Sequence, residues 1–394
     1  MVVGLRVVVA PDSFGGALDS VGVAEAIATG WRRARPDDVI IAAPMADGGE
    51  GTLAAVAAAL GERAVRRSAP VHDPLGREVQ ADWLLLDEGR SAFIEMAAAS
   101  GLAWLTVAGR TPASARVAST RGTGELLLAA LDAGVTSLVL GLGGSATTDG
   151  GAGLLSALGV RFLDVAGREL PAGGAALARL ARIDASGLDP RLGDVELVTA
   201  SDVTNPLTGP PGAAAVYAPQ KGADEAAVDE LDAALAVFGA AIEAATGRAV
   251  SDLPGAGSAG GTGAALLGFT NATMRPGFEV VAELVRLQAA LGEADLVITG
   301  EGRADEQTLA GKTAMGVAQL AREAGVPVVL LCGGLGPGAE VLETAGLFDL
   351  VQPIPDRPMP LADAIADTER LLVNAAERLA RSVGIGLMLG QTEA

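Results

Sequence analysis

Short β-branched runs, each closed by a loop rich in glycine and acidic residues, alternate with Ala- and Leu-rich segments of helical period at both ends of this chain. Residues 5–10 form one such run and stop at Pro11; residues 21–33 have helical period, and residues 39–43 and 52–60 repeat the pair. A βαβα opening whose strands are apolar on both faces needs a parallel sheet covered by helices on both sides. The same rhythm resumes after Arg275-Pro-Gly. Residues 295–299, 326–331 and 349–352 read as strands, and 313–324 and 361–382 as helices.

Between these ends the pattern changes. Residues 78–86 and 91–96, joined by Asp87-Glu-Gly-Arg, read as an antiparallel hairpin. That shift places the opening of a second domain near residues 68–76. Strands are expected at 137–142, 160–163 and 196–200, and helices at 125–133, 153–158 and 225–245. A glycine-rich loop is expected at 255–263. The resulting expectation is an α/β protein of two α/β domains. One is a Rossmann- or flavodoxin-like parallel sheet built from both chain ends, residues 1–70 and 286–394. The other is an inserted mixed-sheet domain, residues 71–285.

A formal charge of -20 argues against nucleic acid and anionic membrane surfaces as partners. Any anionic substrate must then meet a locally positive site. The single cysteine, Cys332, allows no intrachain disulfide; it lies in an apolar run and reads as a core residue in a reducing compartment. The single histidine, His72, argues against a histidine-based zinc site or a Ser-His-Asp triad elsewhere, and its setting in Val71-His-Asp-Pro reads as a loop. The N-terminus reads as a first strand rather than a signal peptide, and no window of membrane-spanning length is uninterrupted. The expected location is the cytoplasm.

Five glycine- and acid-rich loops fall at the ends of expected strands: Pro11-Asp-Ser-Phe-Gly-Gly, Met45-Ala-Asp-Gly-Gly-Glu-Gly-Thr, Gly143-Gly-Ser-Ala-Thr-Thr-Asp-Gly-Gly, Ser201-Asp-Val-Thr-Asn and Thr299-Gly-Glu-Gly-Arg-Ala-Asp. Ligands of open α/β sheets bind beyond the carboxyl ends of strands. Phosphoryl transfer needs exposed N–H groups and cations for phosphate oxygens, with carboxylates for Mg²⁺ and for the attacking hydroxyl. One such loop is ordinary turn chemistry; five in one chain are not. Of 28 basic side chains only Lys221 and Lys312 are lysines. A lysine kept against that bias suggests a specific task, such as placing a compact ammonium on a phosphate. Gly311-Lys312-Thr313 resembles the end of a Walker A motif, but Glu306 stands where its first glycine belongs. A competing pattern, Gly141-Leu-Gly143-Gly-Ser-Ala146 with Asp164 about 20 residues on, fits an NAD(P)-dependent oxidoreductase of a small hydroxy acid.

Taken together, Ala10-Pro-Asp-Ser-Phe, Pro44-Met-Ala-Asp-Gly-Gly-Glu-Gly-Thr, Glu95-Met-Ala-Ala-Ala-Ser-Gly-Leu, Gly122-Thr-Gly-Glu-Leu, Asp149-Gly-Gly-Ala-Gly, Asn205-Pro-Leu, Pro219-Gln-Lys-Gly and Thr299-Gly-Glu-Gly-Arg resemble the type I glycerate kinases from about residue 5 to 355. The resemblance implies MgATP-dependent phosphorylation of D-glycerate, usually to 2-phosphoglycerate with 3-phosphoglycerate the alternative, in a cleft between two α/β domains. There are two departures. The family's Pro-Asp-Ser-Phe-Lys-Gly has Gly15 at the lysine position, and its Ser-Ala-Thr-Asn-Asp has Thr148 in place of asparagine. The first removes a cation and keeps a kinase-derived, non-catalytic binder among the readings.

On this reading the backbone and hydroxyls of Gly143, Gly144, Ser145 and Thr147, with Asp12, Ser13, Gly48, Gly49 and Gly300, hold ATP. Lys221, Lys312 and Arg303 meet phosphate or the glycerate carboxylate, and Asp202 is the base or hydroxyl-orienting group. Asp47, Glu50, Asp149 and Glu301 are the candidate ligands of Mg²⁺. The oligomeric state stays open, with a homodimer among the options.

Overall fold

The computed structural model describes residues 4–309, 313–344 and 346–391. Its strands in chain order are β1 (Arg6–Val9), β2 (Val39–Ala42), β3 (Val65–His72), β4 (Glu78–Leu86), β5 (Ser91–Glu95), β6 (Ser137–Gly141), β7 (Arg161–Leu163), β8 (Arg182–Asp184), β9 (Glu196–Ala200), β10 (Thr273–Arg275), β11 (Leu296–Glu301), β12 (Val328–Cys332) and β13 (Leu350–Pro353). The chain divides into two compact units. The first comprises residues through Asp47, Ala54–Gly61 and the chain from Phe278 onward; the second comprises Gly48–Leu53 and Glu62–Gly277.

The first unit holds an all-parallel sheet in the order β2-β1-β11-β12-β13, with Val7 opposite Leu296 and Val39 opposite Arg6. Strands from both chain ends therefore alternate in one sheet, in the flavodoxin-like order that reverses direction between β1 and β11. Val7, Val8, Val9 and every residue of β12 are buried, as a sheet covered on both faces requires. The first helix, Ser20–Ala34, starts where the Asp19 side chain accepts the Gly22 N–H, and ends with Arg32 and Arg33 in its last turn, where they oppose the helix dipole. It packs on the long C-terminal helix Thr368–Gln391; a Cβ on Gly30 would lie 2.1 Å from the Val373 carbonyl oxygen, so this crossing needs glycine. The C-terminal region is two helices rather than one, Leu361–Ala366 and Thr368–Gln391, parted at Asp367.

The second unit holds a six-stranded mixed sheet in the order β10-β9-β6-β5-β4-β3. The four strands β5, β6, β9 and β10 are parallel, and β4 and β3 continue the sheet antiparallel. Leu138 and Leu140 of β6 are fully buried; truncating either to alanine would cost roughly 2–5 kcal/mol. Strand β3 is absent from the sequence expectation, and this is why the unit opens at Glu62 rather than near residue 71. It carries Arg66, Arg67 and Pro70, and buries only Ala69 and Val71, which suits an edge strand and hides its period. His72 is its last residue, with Nδ1 2.9 Å from Glu125 Oε1, so it is a strand-end residue with an acidic partner and not a loop residue.

Two glycine-rich segments also differ from expectation. The helix expected from residue 125 begins at Arg121 and includes Gly122 and Gly124, where a Cβ would lie 2.0 Å from the His72 carbonyl oxygen and 2.4 Å from that of Leu154. Close backbone approach outweighs the low helix propensity of glycine here. The loop expected at 255–263 instead runs into helix Ser258–Phe269, whose opening residues Ala259, Gly260 and Gly261 are left-handed, with φ of 50°, 68° and 93°.

Candidate active site

In the first unit, the loop after β1 is stitched to the end of β11. The Asp12 N–H donates to the Gly300 carbonyl at 2.9 Å, and Thr299 Oγ1 donates to the Ala10 carbonyl at 2.9 Å. A Cβ on Gly300 would meet the Leu331 carbonyl oxygen at 3.1 Å and the Phe14 ring at 3.2 Å, so glycine lets the loop close down. Asp12 also accepts the Ser13 N–H at 2.6 Å. Burial raises the Asp12 pKa above the usual carboxylate range, and the charge of Asp47 adds to the shift. Burial likewise pushes Glu301 up to about 7, reinforced by Asp12 and Asp305 and opposed by a 2.7 Å hydrogen bond from Thr308 Oγ1. Arg303, largely exposed, pairs through Nε with Asp305 Oδ2 at 3.0 Å. Gly15 is exposed, and a Cβ there would meet nothing within 4 Å. Lys312 lies outside the described residues, and with it the test of the Gly-Lys-Thr motif.

In the second unit, the turn Gly48–Thr52 lies directly on the loop that follows β6. The Gly143 N–H donates to the Gly48 carbonyl at 3.2 Å, and a Cβ on Gly143 would sit 2.3 Å from Gly49 Cα. A Cβ on Gly144 would contact the Glu50 Cβ at 3.4 Å. Gly48, Gly49, Glu50, Gly143 and Gly144 are thus brought together, and Ser145 and Thr147 continue the same loop. Glu95, at the carboxyl end of β5, fastens the turn: its two oxygens accept the N–H groups of Gly51 at 3.2 Å and Leu53 at 2.8 Å. Burial raises its pKa, with a contribution from the Glu50 charge. No role was expected for Glu95; the available signal is an acidic residue closing the apolar run Ser91–Glu95.

The far end of the loop is held from below. Lys221 is 2% exposed, and its ammonium donates to Ser145 Oγ at 3.0 Å and to the Thr147 carbonyl at 2.6 Å. Burial lowers its pKa to about 7, against the pull of Asp149. Asp149 is fully buried. Its oxygens accept the Thr120 N–H at 2.8 Å, Thr120 Oγ1 at 3.0 Å, and the N–H groups of Gly151 and Gly153 at 3.1 Å each. Both groups are therefore engaged in shaping the loop: Lys221 supports it and Asp149 closes its end. Thr147 Oγ1 and Thr148 Oγ1 are buried without a hydrogen-bond partner. Asp202 follows β9, is exposed, and accepts the Gly277 N–H at 2.8 Å.

Among the described residues no group of three or more His, Cys, Asp or Glu side chains could hold a metal ion. Asp47 and Glu301 belong to the first unit, and Glu50 and Asp149 to the second.

The dinucleotide pattern fails structurally. No helix opens at Gly143–Ala146; the next begins at Ala152. Strand β7 lies outside the parallel sheet and pairs antiparallel with β8. Asp164, the expected ribose ligand, instead closes a turn by accepting the N–H groups of Ala166 and Arg168 at 2.8 and 3.0 Å. Burial pushes the Cys332 thiol up to about 12, and Cys332 lies in the core as expected. Among the described residues no helix is long and apolar enough to cross a membrane.

Comparison with known proteins is consistent along the whole chain. The sequence model of the glycerate kinase family matches residues 7–384. Glycerate kinase of Bacillus subtilis strain 168 is 44% identical, over 98% of this chain and 99% of the relative. Glycerate 2-kinase of Escherichia coli K12 is 43% identical, over 97% and 99% respectively. A crystal structure from Salmonella typhimurium LT2, of a protein described as glycerate kinase 2, superposes with a TM-score of 0.85 at 42% identity, covering 98% of this chain and all of the other.

Proposed function

The chain belongs to the glycerate kinase family, and we propose that it transfers the γ-phosphoryl group of ATP to the 2-hydroxyl of D-glycerate, yielding 2-phosphoglycerate and ADP with Mg²⁺ as cofactor. The observation that carries this reading is the near end-to-end similarity to a glycerate 2-kinase, at 97% coverage of this chain.

Phosphoryl transfer asks a protein mainly for positioning and charge stabilisation. The loop Gly143–Thr147 is suited to oxyanions because its glycines let it fold tightly onto the turn at Gly48–Glu50 and Lys221 fixes its curvature from beneath. Asp202 is exposed at a strand end and aligned by the Gly277 N–H, which suits it to accept the proton of an attacking hydroxyl. Arg303, held as a planar fork by Asp305, offers bidentate donors to a carboxylate or phosphate.

Mg²⁺ commonly takes one or two protein carboxylates and completes its shell with phosphates and water. Asp12 and Glu301 suit that demand, because the Asp12 N–H bond to the Gly300 carbonyl brings their loops together and the two carboxyls feel each other's charge, which a bound cation would relieve. When bound, the ion would neutralise charge on the phosphate oxygens.

The test is ADP release by purified protein given MgATP and D-glycerate, with phosphorus NMR of the product. A 2-phosphoglycerate signal supports the proposal, and a 3-phosphoglycerate signal redirects it to the other hydroxyl. No turnover in the native chain, with turnover restored by Gly15→Lys, would mean a kinase framework lacking one anion contact. No turnover in either form would sink the reading.

A further inference from the structure

A cavity of about 440 Å³ opens in the first unit at the carboxyl ends of β1, β11 and β12, and Gly15 and Arg303 stand on its wall. Its volume falls in the range of small-molecule sites. Its position is where an open α/β sheet of this order binds ligands, beside the reversal between β1 and β11. Phe14, Ile354 and Leu371 supply apolar lining, and Arg303 is its one charged lining group among the described residues.

Two features suit this cavity, or slot, to a flat apolar ring. Gly302, Gly333 and Gly334 place bare peptide planes along it. A Cβ on Gly333 would lie 2.4 Å from the Gly302 carbonyl oxygen, while Gly334 and Gly15 have nothing within 4 Å on that side. The rim also leaves large aliphatic groups in water: Leu335 is 56% exposed, Leu361 76% and Ile365 41%. Three such groups around one cavity mark a surface that a ligand covers. The guanidinium of Arg303, oriented by Asp305, can stack on an aromatic face.

We propose that this slot receives the adenine base of the nucleotide. The inference rests on the reading of the chain as an ATP-dependent kinase. Of the two substrates, the three-carbon hydroxy acid has no apolar face to cover such walls, whereas a purine has two.

Photolabelling of the full-length protein with 8-azido-ADP, followed by peptide mapping, tests the assignment, together with kinetics of Leu361→Asp on the exposed rim and Ala364→Trp in the wall. Label is expected on the segments around Phe14 or Leu361, and both variants should raise the KM for ATP at least about tenfold with a much smaller effect on that for D-glycerate. Because Leu361 is exposed, its variant remains informative if Ala364→Trp fails to fold. Label confined to peptides of the second unit, with the KM for ATP unchanged in Leu361→Asp, overturns the slot while leaving the kinase reading intact. A native chain that makes no ADP from ATP and D-glycerate removes the kinase reading, and the slot assignment with it.

Discussion

The Lys221 ammonium donates to the Thr147 carbonyl oxygen at 2.6 Å from a position that is 2% exposed. A cation in that place acts on the loop Gly143–Thr147 from its buried side. Its second bond, to Ser145 Oγ, fixes the neighbouring hydroxyl. This relationship makes Lys221 a positioning residue first, and it separates the effects of removing the charge from those of removing a surface contact.

Replacing Lys221 with methionine keeps much of the volume and deletes both hydrogen bonds. We expect kcat to fall at least about a hundredfold, on the scale of losing a preorganised electrostatic element. The stability profile gives a second readout. The folded pKa, about 7, lies below the ordinary lysine value of 10.5, so between these values the unfolded chain binds the additional proton. Native stability relative to Lys221→Met should therefore rise with pH across that window, by at most about 1.4 kcal/mol per pH unit. Urea titrations at several pH values check this; a flat difference would place the lysine in water.

Asp149→Ala should destabilise the second unit strongly. It strands the buried N–H groups of Thr120, Gly151 and Gly153, each costing roughly 1–3 kcal/mol when unpaired. Asp149→Asn, which keeps an acceptor, should recover part of the loss. Denaturant midpoints of the two variants decide; equal midpoints would show that the buried charge, not the acceptor geometry, is what matters.

Glu301→Gln should make stability less sensitive to pH. The folded pKa of about 7 lies above the ordinary glutamate value of 4.5, so the folded chain keeps a proton that the unfolded chain releases between these values. That contribution is complete below 4.5 and is lost as pH rises through 7. The variant should gain in Tm over the native protein across this window, and calorimetry without metal or nucleotide is the measurement.

Asp202→Asn retains an oxygen for the Gly277 N–H and removes the basic carboxylate. Turnover should drop about 10²–10⁴-fold, the usual contribution of a positioned general base. ADP affinity by calorimetry should stay near native. Turnover close to native would assign Asp202 to loop structure.

The βα rhythm at the two chain ends was legible because those strands are apolar on both faces, and that period survives without knowledge of partners. Even so, the parallel sheet joins residues nearly 300 apart in sequence, as in Val7 opposite Leu296. Strand β3 escaped notice because an edge strand with Arg66, Arg67 and Pro70 buries too little to show a period. Glycine misled twice, at Gly122 and Gly124 and again at Gly260 and Gly261. In those places its lack of a side chain serves close packing, which composition reads as a loop.

The sequence alone determined the residue inventory of the candidate site: five strand-end loops, two lysines in a chain of arginines, and the family pattern that orders them. Tertiary structure decided what those residues do. Lys221 and Asp149 look alike in sequence as charged groups beside glycines, yet packing turns both inward, where hydrogen bonds to backbone and hydroxyl groups compensate their burial. Glu95, Asp12 and Glu301 owe their raised pKa values to burial, which depends on what the fold stacks over them. Residue type sets which charges and donors exist; only the three-dimensional neighbourhood sets their solvation, and solvation separates a loop support from a group that meets substrate.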